Sequence, residues 1–446
     1  MKVLFVSLGC DKNLVDSEYM LGILRDAGYE FTDDENEADI IIVNSCCFIQ
    51  DAKEESINTI LDYGRLRTDD SARCRALIVT GCLAQRYAGE IHKEIPEVDA
   101  IVGTTAYDGI GRVIDEVLAG GSVQKLEPVD RLLIPEAERV MSTGGFYSYL
   151  KIAEGCDKCC TYCIIPKIRG HYRSFPVERL VKEARGLSSK GVKELILVAQ
   201  ETTLYGTDIY GRNMLPELLK KLCLIDGIEW IRLQYCYPEE ITDELIRVIK
   251  EEPKICKYID MPVQHASDAI LKRMGRRTDC NELRGIIGKL REEIPDIAIR
   301  TTLITGFPGE TQEDHEILKS FVRDMKFERL GVFAYSEEED TAAALMPGQI
   351  DEEVKALRRN EIMELQQEIA FRHAEGMTGR KLDVMIEGRL ADEDIYVGRT
   401  YMDAPEVDGM IFVDSDREIM SGDIVRVEVT GANEYDLIGE LCDESA

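Results

Sequence analysis

The sequence of 446 residues predicts an α/β protein in three parts: an N-terminal open parallel α/β domain, a central partial TIM-type barrel of six strand–helix units, and a C-terminal small all-β barrel. Three observations carry this reading. Short apolar runs at residues 3–8, 40–43, 76–80 and 98–102 alternate with amphipathic stretches at 13–27, 51–63 and 108–118, the rhythm of parallel strands with crossover helices. A second series of runs, at 146–152, 194–198, 230–233, 258–261, 298–304 and 330–334, alternates with helical patterns at 177–187, 243–250, 283–292 and 314–324, and a long amphipathic segment at 351–375 closes it. From 377 onward the helices stop, and five short strand patterns at 382–387, 395–399, 410–413, 424–430 and 437–441 suit a small barrel.

These patterns place domains at 1–118, 146–375 and 376–446. Residues 119–145, with Gly120-Gly121, Pro128, Pro135 and Gly144-Gly145, read as a linker. Hydrophobic residues at 44% and charged residues at 31% are those of a folded globular chain, which excludes wholesale disorder. No apolar run approaches the roughly 18 residues of a membrane span, so the expectation is a cytoplasmic protein with no membrane partner.

The charge balance, 54 Lys and Arg against 85 Asp and Glu, gives a formal net charge of -31. Binding nucleic acid non-specifically needs cationic surface to displace phosphate counterions, so this chain is not a nucleic-acid-coating protein, and a basic partner is favoured. Fourteen cysteines in a reducing compartment point to metal or redox chemistry rather than disulfides.

Cys10, Cys46 and Cys82 each lie two or three residues beyond a predicted parallel strand, the edge at which open α/β sheets bind ligands. Three thiols there can converge on one ion or cluster, the alternative being buried structural cysteine. Cys47 and Cys74 lack the pattern and read as packing residues. The second domain holds GCDKCCTYC at 155–163, directly after its first strand. Cys156, Cys160 and Cys163 form C-x3-C-x2-C, three thiolates from one loop that leave an iron of a cubane open to substrate. Cys156-x2-Cys159 and Cys160-x2-Cys163 also offer a zinc reading, but zinc pairs are normally separated by a dozen or more residues, which leaves Cys159 as a spare thiol.

C-x3-C-x2-C with Tyr162 before its last cysteine, on the first loop of a partial barrel, resembles the radical S-adenosylmethionine superfamily. With the N-terminal three-cysteine domain and a final barrel that looks like a TRAM domain, the chain resembles the methylthiotransferases over nearly its whole length. The resemblance implies two 4Fe-4S clusters, one on Cys156, Cys160 and Cys163 that binds S-adenosylmethionine, the other on Cys10, Cys46 and Cys82 that delivers sulfur. It places Tyr162 near the adenine. Gly306-Phe307-Pro308-Gly309-Glu310 follows the fifth barrel strand, where Gly306, Pro308 and Gly309 let backbone approach the cofactor or simply make a turn. Gln200 and Glu201 after the second strand, and Gln264 and His265 after the fourth, are expected to face the same mouth or to be polar strand caps. No catalytic acid or base is assigned. The sequence departs from the family pattern at Cys47, where Gly is expected, and at Asp11, where Pro is expected.

The implied chemistry is reductive cleavage of S-adenosylmethionine to a deoxyadenosyl radical, hydrogen abstraction and sulfur insertion, with a second S-adenosylmethionine giving the methyl group and an electron donor required. The family has a branch that modifies adenosine in transfer RNA and one that modifies an aspartate β-carbon of the small-subunit ribosomal protein numbered twelve. The string from Ser7 to Glu18, SLGCDKNLVDSE, and Gln264-His265 resemble the ribosomal-protein branch. Charge agrees: residues 374–446 hold 6 Lys and Arg against 19 Asp and Glu, net -13. Such a barrel is expected to repel phosphate and attract a basic ribosomal protein, whether free or in the ribosome, the alternative being that its acids merely solubilise the surface. A non-catalytic iron–sulfur electron carrier is the alternative from another class, but carriers typically complete four-cysteine ligation where both sets here have three.

Overall fold

The computed structural model describes residues 1–69, 71–391 and 394–442, so the last four residues of the expected C-terminal domain lie outside the described residues. They form two compact units. One comprises Met1–Ser142, Ala153–Arg173 and Glu338–Thr341, the other Thr143–Ile152, Ser174–Glu337 and Ala342–Ala446.

In the first unit six parallel strands run in the order Glu30–Phe31, Lys2–Ser7, Ile40–Ser45, Ala76–Thr80, Ala100–Val102 and Val123–Lys125. The central strands are Val- and Ile-rich because both faces are covered, and Ile40, Ile41, Ile42 and Val43 have no exposed surface. The helices Asp11–Asp26, Gln50–Thr68 and Ile110–Leu118 pack as crossovers. Two edge strands escape the sequence pattern because they are too short for a period: Glu30–Phe31, and Val123–Lys125 within the stretch read as linker. The linker's later residues are sewn to the first helix, where Ser142 donates from its backbone nitrogen to the Glu18 carboxylate at 2.8 Å and Arg139 pairs with the same side chain.

The second unit holds an open sheet of six parallel strands, Tyr147–Lys151, Glu194–Val198, Trp230–Leu233, Ile255–Asp260, Ala298–Thr305 and Arg329–Ala334, in sequential order. The first and last strands do not pair, so the barrel is partial. The helix Glu352–Glu375 follows, and five strands then close a barrel in the order Lys381–Arg389, Ile395–Thr400, Ile411–Asp414, Asp436–Leu441 and Ile424–Asn433. Val384, Ile386, Ile411, Val413, Val427 and Val429 fill its interior.

A buried ion cluster ties this small barrel to the larger sheet within the unit. Glu194 accepts from Arg232 at 2.7 Å and from Arg399 at 2.8 Å, all three essentially without exposed surface. Arg232 also donates to the Tyr401 carbonyl at 2.6 Å. Among the described residues, no helix is long and apolar enough to cross a membrane.

Candidate functional site

The register of the N-terminal sheet puts Ser7 beside Asn44 and Asn44 beside Thr80, so three adjacent strands end level. The loops leaving those ends carry Cys10, Cys46 and Cys82. Gly81, at φ +91°, has no room for a side chain: a Cβ would lie 2.4 Å from both the Asn44 side-chain oxygen and the Ser45 carbonyl. Asn13, on the first turn of the following helix, ties the loops together. Its amide nitrogen donates to the carbonyls of Leu8 and Ser45, each at 3.0 Å. Cys46 is fixed further by Ser56, whose hydroxyl accepts from its N–H and donates to its carbonyl, both at 2.9 Å.

Burial pushes the Cys46 thiol up to about 12, and the neighbouring Cys82 and Cys10 sulfurs push in the same direction. Burial also raises Cys82, against the opposing pull of Arg169. Two buried sulfurs and a neighbouring third become stable as thiolates when a cationic group neutralises them, which is the donor set an iron–sulfur cluster requires. Cys10 is exposed, while Cys46 and Cys82 are buried. Cys47 and Cys74 are also buried, packed in the hydrophobic core with Leu77, Val79 and Ile101.

The loop Gly155–Cys163 belongs to the same compact unit. Cys156 is held by its N–H donating to the Gly170 carbonyl at 3.1 Å, and the N–H of Cys163 donates to the Cys160 carbonyl at 3.0 Å. Cys156 and Cys160 are buried, and Cys163 is partly so. Its thiol is pushed up by burial, with the Cys160 and Cys156 sulfurs adding to the effect. Cys159 points the other way: it is exposed, at φ +53°. After the loop comes the short helix Ile165–Arg169. Ile164 and Ile168, four apart and so on one face, pack into the N-terminal core beside Leu83 and Ala84. Among the described residues, no three His, Cys, Asp or Glu side chains close on a single metal ion.

The remaining expected residues lie at strand ends. Tyr162 sits half-buried on the cysteine loop, between Cys160 and Cys163. Gln200 and Glu201 follow Glu194–Val198, with Glu201 buried and accepting from the Thr203 N–H at 2.8 Å, as a strand cap does. Gly306 and Gly309 have their space filled by the protein itself: a Cβ on Gly306 would meet Lys355 at 2.3 Å, and one on Gly309 would meet the Arg273 guanidinium at 2.9 Å. Pro308 lies between them and gives its carbonyl to Arg273 at 2.8 Å.

His265 does not face a mouth. It is fully buried, 3.6 Å from Glu310, and its Nδ1 accepts from the Ser267 N–H at 2.9 Å. Gln264 keeps a left-handed backbone at φ +71°, with its Oε1 buried and lacking a hydrogen-bond partner among the described residues.

Two residues that the sequence reading missed are central to the geometry. Asn13 opens a helical pattern, and Arg169 carries no sequence signal of its own. Arg169 is 2% exposed, and its guanidinium reaches Asp16 at 2.7 Å, Asn13 Oδ1 at 2.6 Å, Glu154 at 3.4 Å and the Cys82 sulfur at 3.4 Å. No spacing rule marks either residue.

Comparison with known proteins adds to this geometry. Residues 2–103 match the model of uncharacterized protein family UPF0004, residues 150–321 that of the radical SAM superfamily, and residues 378–442 that of the TRAM domain. The ribosomal protein uS12 methylthiotransferase RimO of Lachnoclostridium phytofermentans is 67% identical, over 98% of this chain and 99% of that protein. The chain belongs to the RimO family of ribosomal protein uS12 methylthiotransferases. A RimO of Clostridioides difficile is 48% identical over the full length of both chains. Among solved structures, the radical S-adenosylmethionine methyltransferase TsrM of Kitasatospora setae matches with a TM-score of 0.56 and 14% identity over 77% of each chain, a likeness of fold. The three-part fold expected from sequence is therefore the fold observed, and the protein is a radical SAM methylthiotransferase.

Proposed function

We propose that this chain methylthiolates the β-carbon of an aspartate in ribosomal protein uS12. The observation that carries the reading is the near full-length identity of 67% to a protein named for that activity, joined to two sets of three thiols within one compact unit. An unactivated C–H bond lies beyond any ordinary general base, so its cleavage needs a radical.

The residues present fit two iron–sulfur clusters. Cys156, Cys160 and Cys163 would hold one and Cys10, Cys46 and Cys82 the other, with Cys47 kept in the core and Cys159 turned to solvent. When bound, the first supplies the electron and open iron for cleavage of S-adenosylmethionine, and the second supplies sulfur. The chain's own part is placement. Level strand ends and the Asn13 amide hold one set of thiols, while Ile164 and Ile168 seat the loop bearing the other. Tyr162, on the cysteine loop itself, is the proposed neighbour of S-adenosylmethionine in this unit. An external electron donor is required, and the setting is the cytoplasm.

The acidic final barrel supports a basic protein substrate over RNA. Purified, reconstituted enzyme should methylthiolate uS12 and leave transfer RNA unmodified. Methylthio-adenosine as the only product would refute the substrate assignment.

A further inference from the structure

The geometry points to Arg169 as a positioning residue for the N-terminal iron–sulfur site, setting the potential of the cluster held by Cys82 through a direct hydrogen bond to that sulfur. The inference rests on the proposed reading of Cys82 as a cluster ligand. Four observations support it.

First, the contact is made by a buried, fully charged donor. Arg169 is 2% exposed and its Nη2 lies 3.4 Å from Cys82 Sγ, within reach of a hydrogen bond to a large sulfur. Second, the guanidinium is aimed by its other contacts. Asp16 takes Nη1 at 2.7 Å and Asn13 Oδ1 takes Nη2 at 2.6 Å, which fixes the plane of the fork. Asp16 is itself held by the Tyr107 hydroxyl at 3.0 Å. Third, Asn13 clamps the loops that carry Cys10 and Cys46 through the Leu8 and Ser45 carbonyls, so the hydrogen-bond chain from Arg169 reaches the Cys82 sulfur and the backbone of the other two loops. Fourth, Arg169 lies six positions after Cys163, on the short helix that Ile164 and Ile168 seat in the N-terminal core. The segment that presents one set of thiols therefore delivers a cation to the other.

Hydrogen bonds and positive charge at a ligating sulfur favour the more negative, reduced state of a cluster and so raise its potential. Removing the guanidinium should lower it. A purely structural Arg169 would leave the potential of a fully loaded site where it was.

The test uses the full chain carrying Cys156→Ala, Cys160→Ala and Cys163→Ala, so that only the N-terminal site can load. Iron content and midpoint potential are read by electron paramagnetic resonance at poised potentials. Into this parent go Arg169→Met and Arg169→Lys. Arg169→Lys keeps a cation beside Asp16 and Glu154, so the fold is retained even if Arg169→Met fails to fold, but the aimed fork is lost. Both Arg169 variants should load iron to the parent level with a more negative midpoint potential, the larger shift in Arg169→Met. A parent-like potential in fully loaded Arg169→Lys and Arg169→Met overturns the inference alone. A parent that binds no iron overturns the two-cluster reading and this inference with it.

Discussion

The Cβ that Gly9 lacks would stand 2.6 Å from the Cβ of Cys46 and 2.7 Å from its sulfur. Gly9 sits at φ +87°, so the residue before Cys10 is bent toward the neighbouring loop and touches it. Close approach of two thiol-bearing loops is thus built into the backbone.

Gly9→Ala should separate them. A left-handed backbone costs an L-residue roughly 1–2 kcal/mol, and the methyl group collides with Cys46 in addition. The variant should fold, by unchanged far-ultraviolet circular dichroism, and lose iron from the N-terminal site while still cleaving S-adenosylmethionine. Wild-type iron content in Gly9→Ala would show that the two loops need not meet.

The two sets of thiols should separate by function. Alanine at Cys10, Cys46 and Cys82 together should remove about half of the iron, as expected for two clusters of equal size, and all methylthiolation, but not uncoupled cleavage of S-adenosylmethionine. Alanine at Cys156, Cys160 or Cys163 should abolish cleavage. Cys159→Ala and Cys47→Ala should retain both activities. Cleavage that survives loss of Cys160 but not of Cys159 would reverse the ligand assignment.

What the sequence made legible follows from periodicity. Level strand ends need only the apolar runs 40–43 and 76–80 and a thiol shortly after each, and these are visible in one dimension. The contacts that aim those thiols are not. Asn13 acts through an amide whose partners lie 5 and 32 residues away, and Arg169 through one 87 residues away. Nothing local distinguishes them from a helix-surface Asn and a basic residue closing a short helix. His265 went the other way: its place after a barrel strand suggested an open mouth, and burial against Glu310 decided otherwise.

The Glu194 cluster predicts an acid-sensitive stability. Burial alone would raise this carboxyl, but the Arg399 and Arg232 guanidiniums override it and hold it below the usual carboxylate range. A depressed folded-state value means that its stabilisation is complete above the unfolded glutamate's range and is lost as pH falls through the folded one. Glu194→Gln leaves the buried Arg232 guanidinium without its carboxylate and Arg399 with Glu387 alone, and should cost about 3–5 kcal/mol near neutral pH. Urea unfolding at pH 7 and at successively lower pH should show the gap between wild type and variant narrowing with acid. A gap independent of pH would mean that Glu194 is not the titrating partner.

The acidic surface of the final barrel gives the last prediction. Removing the barrel is a poor probe, because Arg399 would leave Glu194 half-paired inside the unit. Neutralising exposed acids is cleaner: Asp414, Asp416, Glu418 and Glu434 are all exposed, and none lies in the Glu194 cluster. The combined variant Asp414→Asn, Asp416→Asn, Glu418→Gln and Glu434→Gln should bind uS12 more weakly, with association slowed on the order of tenfold at low salt. Uncoupled cleavage of S-adenosylmethionine should not change. Because exposed charges are screened beyond about 8 Å at physiological ionic strength, added salt should weaken wild-type binding more than that of the variant, so the two converge. Stopped-flow association across a salt series measures both slopes. Equal slopes would remove the barrel from substrate capture and leave its acids as a solubilising surface.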